Sequence, residues 1–228
     1  MIVAQAAEQP FVRWGWIWDH LDDIAAAVRQ HLLLTGIAVG IGLVASLVLS
    51  LVALRWRRTY APITWVTGIL YSIPSLALFA FLVPITGLSI VTAEIGLVSY
   101  TLLILIRNIV AGIAGVPAPV VEAARGMGYG PVRLFLEVQL PLALPVIIAG
   151  VRIATVTTIG LVTVTSLIGW GGLGFFILRG LNLFYSAVGT TQIVVGTVAS
   201  VILAVMADLA LVGLQRAATP WARRRAVI

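Results

Sequence analysis

The sequence predicts an all-α, polytopic membrane protein with about five transmembrane helices and an N-terminal interfacial helix. Of the 228 residues, 61% are hydrophobic and only 10% are charged, and the mean hydropathy is +1.13. Soluble domains carry roughly a quarter charged residues, so this chain has too little polar surface for a water-soluble core. The apolar runs are long and lack the alternation of barrel strands, which indicates helices.

Five apolar stretches have about the 20 residues that a helix needs to cross the hydrocarbon core. They cover residues 32–54, 63–84, 90–113, 141–168 and 188–214. Pro74 interrupts the second stretch and predicts a kink, because proline removes a hydrogen bond from the helix. Residues 14–30 mix tryptophan with acids, which predicts an interfacial helix that leads into the first span.

The basic residues predict the orientation in the plasma membrane. All 14 are arginine, and they flank the apolar stretches instead of forming one basic face, which argues against a nucleic-acid partner. Arginines follow the first, third and fifth stretches, and with five spans these segments share one side, which is the cytoplasm by the positive-inside rule. We therefore expect residues 1–30 and the N-terminus outside, a transmembrane domain over residues 31–215, and a basic cytoplasmic C-terminal tail over residues 216–228.

Two residue types are absent, and their absence argues against whole classes of function. The chain has no lysine, which a phosphate-binding P-loop requires, and no cysteine for a thiolate metal site or nucleophile. Residues 169–174 satisfy G-x-G-x-x-G but lack the acid about 20 residues later that a dinucleotide fold needs. We expect these glycines to permit sharp turns and close packing. No paired acids or nucleophile–base set are present, so the sequence predicts no enzyme activity and no metal site.

The most informative segment is the polar stretch over residues 117–141, between the third and fourth spans. Pro117 predicts the end of the third span and the start of a short helix. Glu122 is expected in the first turn of that helix, where a negative charge is favourable. Ala123 and Ala124 are small helix formers that permit the close approach of another protein.

This segment resembles the signature loop of ABC importer permeases. That loop reads E-A-A, three residues, G, nine residues, then I-x-L-P, and this chain departs from it only in having Val138 for the isoleucine. In the family the loop forms a coupling helix that docks in a cleft of the ATPase subunit, and the fold is that of a type I ABC importer permease. The resemblance implies ATPase-coupling roles for Glu122, Ala123, Ala124, Gly128, Leu140 and Pro141.

Further motifs resemble the osmoprotectant branch of this family, which imports glycine betaine, carnitine and choline. They include Ile73-Pro74-Ser75-Leu76, Arg107-Asn108, Gly150-Val151-Arg152-Ile153-Ala154 and Gly171-Gly172-Leu173-Gly174. Trp170 and the threonine-rich residues 155–165 depart from the usual residues of the branch. Another small solute, such as an amino acid or an ergothioneine-like betaine, therefore stays open, and so does an ATP-independent transporter or channel.

The resemblance also implies a mechanism and a set of partners. Two permeases, identical or paralogous, would form one pathway that works by alternating access. A dimer of ATPase subunits would bind ATP and Mg, so that no cofactor is expected in this chain. A separate extracytoplasmic solute-binding protein would deliver the solute, and membrane lipid would surround the spans.

Ionisable residues inside the predicted spans are candidates for a pathway or gate. A charge in the bilayer is costly, so Arg152 in the fourth stretch and Asp208 in the fifth are expected to have partners. They form a possible pair, which would be either structural or part of a gate. Glu94 lies near the outer part of the third span and is expected to be interfacial. Pro74 and Ser75 mark a bend that either lines the pathway or serves packing.

Overall fold

The computed structural model describes residues 11–183 and 186–221, and every regular element in this part of the chain is helical. The predicted all-α class is therefore confirmed. The helices are α1 Trp14–Asp19, α2 Leu21–Arg55, α3 Tyr60–Ser72, α4 Ser75–Thr86, α5 Ile90–Ala114, α6 Ala118–Gly126, α7 Pro131–Leu134, α8 Leu140–Val164, α9 Gly174–Asn182 and α10 Ala187–Ala218. Residues 1–10 and the tail arginines Arg223, Arg224 and Arg225 lie outside the described residues.

Four helical segments in the described part of the chain are long and apolar enough to cross a membrane. They are Leu21–Arg55, Ile90–Ala114, Pro131–Ile168 and Ala187–Ala218. The segments Arg57–Ser72 and Ser75–Thr86 pass the same criterion only as a pair, which is bent by 96° at its break. The structure thus has four spans, or five if the bent pair forms one broken span.

The second predicted span is interrupted at Pro74 as expected, and the interruption is a break between two helices instead of a kink within one helix. The α3 helix ends at Ser72, and α4 begins only at Ser75. Proline cannot donate a backbone hydrogen bond, and its ring pushes the preceding residue, here Ile73, away from helical geometry. Pro74 itself stands at the N-cap of α4, where its carbonyl oxygen accepts a hydrogen bond from the Leu78 amide at 3.0 Å.

The first span helix is longer than the sequence predicts. The α2 helix has 35 residues, or about 52 Å at 1.5 Å per residue, against a hydrocarbon core of about 30 Å. Residues 21–30 of the predicted interfacial segment therefore belong to α2, and only α1 is a separate helix. His20 lies between the two, where its Nδ1 donates to the Trp16 carbonyl oxygen at 2.7 Å and its ring stacks on Trp16.

The chain forms two compact units, each with its own apolar core. The first unit comprises Met1–Ala38, Ile73–Val98 and Val156–Met206, and the second comprises Val39–Ser72, Ser99–Thr155 and Ala207–Ile228. Buried residues of the first core are Leu34, Ala38, Phe79, Ala93, Leu97, Val162 and Ile168. Those of the second are Leu105, Ile109, Ile113, Ala143, Ile147 and Ala154. The predicted coupling segment belongs entirely to the second unit.

In the second unit, small residues bring α5 and α8 into close contact. A Cβ atom at Gly112 would lie 3.1 Å from the Ala143 carbonyl oxygen, and one at Gly150 would overlap the Asn108 side chain. Helices in membranes associate through such positions, because van der Waals packing replaces the hydrophobic effect there. Gly112 and Gly150 therefore allow close packing of the spans on both sides of the predicted coupling segment.

We expect Gly150→Ala to destabilise the permease by about 1–3 kcal/mol, the usual cost of overpacking. The added methyl group would meet the Cβ of Asn108, which cannot move without the backbone. Gly160→Ala is the matched control, since it lies on the same helix and a Cβ there has no neighbour within 4 Å. Thermal unfolding of the two variants in detergent checks this, and equal melting temperatures would contradict the close contact.

In the first unit, the glycine-rich residues 169–174 form a tight turn between α8 and α9. Gly169 and Gly172 have φ angles of 87° and 48°, which disfavour residues with a Cβ atom. The Gly172 amide donates to the side-chain oxygen of Gln30 at 3.0 Å, and a Cβ at Gly172 would lie 2.8 Å from that of His31. The prediction that these glycines serve turning and close packing is confirmed.

Candidate functional site

The segment over residues 117–141 contains the α6 helix and the start of the fourth span. The α6 helix begins after Pro117, which stands at the N-cap position and accepts a hydrogen bond from the Val120 amide at 3.0 Å. Because the helix starts at Ala118, Glu122 lies in its second turn, and no acid occupies the first turn. The prediction that Glu122 lies in the first turn of this helix is therefore wrong.

A Schellman motif centred on Gly128 ends α6. The Tyr129 amide donates to the Ala124 carbonyl oxygen at 3.1 Å, and the Gly128 amide donates to that of Arg125 at 2.9 Å. Gly128 adopts φ 85°, the left-handed conformation that this motif requires and that glycine adopts without cost. The distance in sequence between E-A-A and glycine is thus the length of a short helix and its C-terminal cap.

The two alanines of the motif have different surroundings. Ala123 is exposed, whereas the side chain of Ala124 is only 2% exposed because it packs within its own chain. A larger side chain at position 124 would therefore disturb the packing of α6 against its own chain, whether or not a partner protein is bound. Of the two alanines, only Ala123 is available for the close approach of another protein.

The α6 helix has two distinct faces. One face lines a cavity through residues spaced at three and four positions, which are Ala118, Val121, Glu122 and Arg125. Ala123 and Met127 lie off this face, and Met127 is 71% exposed. Glu122 is also exposed, although it lines the cavity.

The cavity has a volume of about 710 Å³ and lies within the second unit. Its wall combines the ends of α2 and α5 with α6 and the start of the fourth span. The residues that line it include Leu51, Leu54, Arg57, Tyr60, Val110, Ile113, Glu122, Arg125, Phe135 and Gln139. Arginines that follow the first and third predicted spans therefore meet at one cavity, as expected if both segments lie on the same side.

The fourth span helix starts at Pro131, well before the predicted residue 141. The α7 helix continues into α8 through a π-helical turn, Phe135–Gln139, in which the Leu140 amide donates to the Phe135 carbonyl oxygen. Leu140 and Pro141 are half-buried in the first turn of α8. Movement of the segment after Gly128 would thus pass directly into a span, since no flexible linker separates them.

Arg152 and Asp208 form the ion pair that the sequence raised as a possibility. The guanidinium contacts both carboxylate oxygens, at 2.9 and 3.0 Å, which joins α8 to α10. Gln215 extends this contact, because its oxygen lies 3.4 Å from Arg152 and its amide donates to the Pro145 carbonyl oxygen at 3.1 Å. The bidentate geometry holds two spans of the second unit together within their apolar lengths.

The remaining pathway candidates belong to the first unit. Pro74 is exposed and Ser75 is half-buried at the start of α4. The structure pairs Arg152 with Asp208, and it gives Pro74 and Ser75 the role of beginning a helix. Whether any of the four lines a pathway stays a prediction.

Two buried polar side chains of the first unit were not among the predicted site residues. His31 is fully buried, and its Nε2 donates to the Ile159 carbonyl oxygen at 2.9 Å. Both carboxylate oxygens of Glu94 are buried and have no hydrogen-bond partner among the described residues. The sequence signal for His31 was its spacing from Leu34 and Ala38, which places all three on the buried face of α2.

Comparison with known proteins agrees with this architecture. Residues 34–220 match the family profile described as binding-protein-dependent transport system inner membrane component. The choline transport system permease protein OpuBB of Bacillus subtilis (strain 168) is 37% identical over 196 residues, which cover 86% of this chain and 88% of that protein. The glycine betaine/carnitine/choline transport system permease protein OpuCB of the same organism is 35% identical over 191 residues, covering 84% and 86%. The osmoprotectant import permease protein OsmW of Salmonella typhimurium is 30% identical over 210 residues, covering 90% and 96%.

A solved structure has the same fold. A chain of the MetNI methionine ABC transporter, in an inward facing conformation, matches with a TM-score of 0.75 at 23% identity, covering 88% of this chain and 98% of that one. At this identity the likeness extends to the fold alone. Together with the profile match over most of the sequence, it shows that the chain is a multi-pass inner-membrane protein. The chain therefore belongs to the binding-protein-dependent transport system inner membrane components, the non-catalytic permease subunits of ABC importers.

Proposed function

We propose that this permease moves quaternary-amine compatible solutes of the glycine betaine, carnitine and choline type by ATP-driven alternating access. The similar permeases that carry these solutes in their names support the solute class. No solute-binding domain is present in residues 11–183 and 186–221, and we assign solute recognition mainly to a separate extracytoplasmic binding protein. Two ATPase subunits, which bind ATP and Mg, and a second permease, identical or paralogous, complete the transporter.

The observation that carries the coupling role is the construction of α6. It is a short helix with a proline at its start and a Schellman cap at its end, and it joins two membrane spans. The C-terminal end of the helix is fixed by its two Schellman hydrogen bonds, so we expect the helix and its cap to move together when a partner moves them. We propose that closure of the ATPase dimer displaces α6 and thereby α5 and α8.

The distribution of arginine supports a topology with the N-terminus outside and the C-terminus in the cytoplasm. Arg57 follows α2, Arg125 lies in α6, and Arg216 lies in the last turn of α10, all within the second unit. The positive-inside rule assigns this end to the cytoplasm, where ATPase subunits must be. Single cysteine residues introduced at positions 19 and 58, and labelled from outside intact cells, test this orientation. We expect labelling at position 19 and none at position 58, and the reverse pattern would contradict the topology.

Uptake into proteoliposomes tests the proposed function. The permease is reconstituted with its ATPase and loaded with ATP inside, and labelled choline, glycine betaine and carnitine are offered with the binding protein. We expect uptake of at least one of them that requires both ATP and the binding protein. Uptake that persists without the ATPase would indicate a secondary transporter, and uptake restricted to an amino acid would indicate another solute class.

Glu122→Lys should abolish uptake while the permease remains inserted in the membrane. The change reverses the charge on the face of α6 that already has Arg125 one turn away, so the electrostatic pattern of the helix is lost. Glu122→Gln is the control for size, and we expect it to retain part of the activity. Unchanged uptake by Glu122→Lys, at equal amounts in the membrane, would contradict the coupling role.

A further inference from the structure

The cavity beside α6 is amphipathic in a way that transport coupling does not explain. Its apolar wall comes from the last turns of two spans, with Leu51 and Leu54 from α2 and Val110 and Ile113 from α5. Its volume of about 710 Å³ falls within the roughly 300–1,000 Å³ of small-molecule sites. Water covers the apolar part of this wall poorly, since contact with apolar surface is unfavourable.

The polar part of the wall is basic. Arg57 and Arg125 both line the cavity, and among the described residues neither guanidinium has an ion pair or a hydrogen-bond acceptor. Glu122 contributes the one carboxylate of the lining, which leaves an excess of one positive charge. Arginine presents a fork of donors that fits phosphate oxygens, so this part of the cavity favours a phosphate group.

The apolar and the basic part of the wall follow one another as the acyl chains and the headgroup do in a lipid molecule. Leu54 and Ile113 precede the ends of their apolar helices, at Arg55 and Ala114, whereas Arg57 lies beyond the end of α2. The change from apolar to basic lining therefore coincides with the ends of the spans, where a bilayer changes from acyl chains to headgroups. Basic pockets between transmembrane helices bind anionic headgroups in this manner.

We propose that this cavity is a binding site for an anionic phospholipid. The phosphate would lie between Arg57 and Arg125, and one acyl chain would cover the apolar wall at Leu54 and Ile113. The lipid would then pack against the cavity face of α6. The site does not depend on which solute is transported, and only its assignment to the cytoplasmic leaflet rests on the proposed topology.

The ATPase partner is a less suitable occupant of this space. The cavity-lining face of α6 is turned toward the ends of α2 and α5, while Ala123 and Met127 are exposed on the other side of the helix. Apolar surface that continues the span ends is the surface that lipid chains cover.

Native mass spectrometry of the permease–ATPase complex tests the proposal. The complex is titrated separately with dioleoyl phosphatidylglycerol, dioleoyl phosphatidylcholine and inorganic phosphate. The variants are Arg57→Gln and Arg57→Gln with Arg125→Gln, and the control is Arg58→Gln, which removes the same charge from an exposed neighbour that does not line the cavity. Size-exclusion chromatography establishes that each complex is assembled.

We expect the wild type and Arg58→Gln to bind phosphatidylglycerol in preference to phosphatidylcholine. Loss of one charged hydrogen-bond donor should weaken binding of the anionic lipid about tenfold in Arg57→Gln. Equal binding of the two lipids, or an Arg57→Gln complex that behaves like Arg58→Gln, would overturn the site. Displacement of the lipid by inorganic phosphate would show a free-anion site instead. If the double variant fails to assemble, Arg57→Gln alone decides, because Arg57 lies outside α6.

Discussion

Gly128→Val is expected to reduce solute uptake at least tenfold while the permease remains in the membrane. The left-handed conformation costs a residue with a Cβ atom about 1–2 kcal/mol, and a β-branched side chain such as valine more. A shift of 1.4 kcal/mol is already tenfold in an equilibrium. The two Schellman hydrogen bonds are donated by the amides of residues 128 and 129, and with valine at 128 they form only if the backbone adopts this strained conformation. The direction in which the chain leaves α6 is then no longer defined. Movement of α6 would then fail to reach α8.

Two further variants separate backbone conformation from added bulk. Gly128→Asn should keep most of the uptake, because asparagine tolerates the left-handed region better than other residues with a Cβ atom. Gly126→Val adds the same side chain two residues earlier, at a glycine without a positive φ and with open space around it. We expect it to resemble the wild type. If Gly128→Asn is as inactive as Gly128→Val, backbone conformation is not the cause.

Removing one member of the Arg152–Asp208 pair is expected to lower the yield of folded permease in detergent to a small fraction of that of the wild type. Asp208→Ala would leave the Arg152 guanidinium without its bidentate partner at the contact between two spans. A charge at this place is costly unless it is paired. The side chains of Arg152 and Asp208 are only 29% and 34% exposed in the isolated chain. Thermal unfolding and the yield of monodisperse protein measure the loss. Arg133→Met is the control, since it breaks the exposed pair with Glu137 and should change little.

The double variant Arg152→Met with Asp208→Leu distinguishes a structural pair from a gate. Apolar residues of similar size often replace a buried ion pair without loss of stability. If the pair is structural, the double variant recovers both yield and uptake. If it acts in gating, yield returns and uptake does not. Single variants that are as stable as the wild type would contradict the importance of the contact seen between α8 and α10.

Much of the architecture was predictable, because apolar length and arginine placement respond directly to the bilayer. The long runs around Leu34, Leu105 and Ile202 could only be spans, and no tertiary information was needed to find them. Pro74 illustrates the limit of such reasoning. Proline predicts a disturbed helix, but whether the helix kinks or breaks depends on the packing on either side, and here it breaks.

In the predicted coupling segment, too, local features were predictable from the sequence and tertiary contacts were not. E-A-A and Gly128 could be recognised from spacing, since the length of a helix and its glycine cap are local properties. The burial of Ala124 and the turn of Glu122 toward a cavity could not, because they depend on how α6 packs on residues distant in sequence. Arg57 had only a topological meaning in the sequence, and it becomes part of a cavity through the fold.

The sequence by itself determined the class of protein, its membrane-spanning nature and the place of the helix to which we assign the coupling role. These follow from composition and local patterns, which the bilayer and the backbone constrain directly. Only the tertiary structure decided that Arg152 meets Asp208 and that Arg57 and Arg125 border one amphipathic cavity. The physical reason is that such contacts join residues from different helices, and their geometry depends on close packing that no single segment contains.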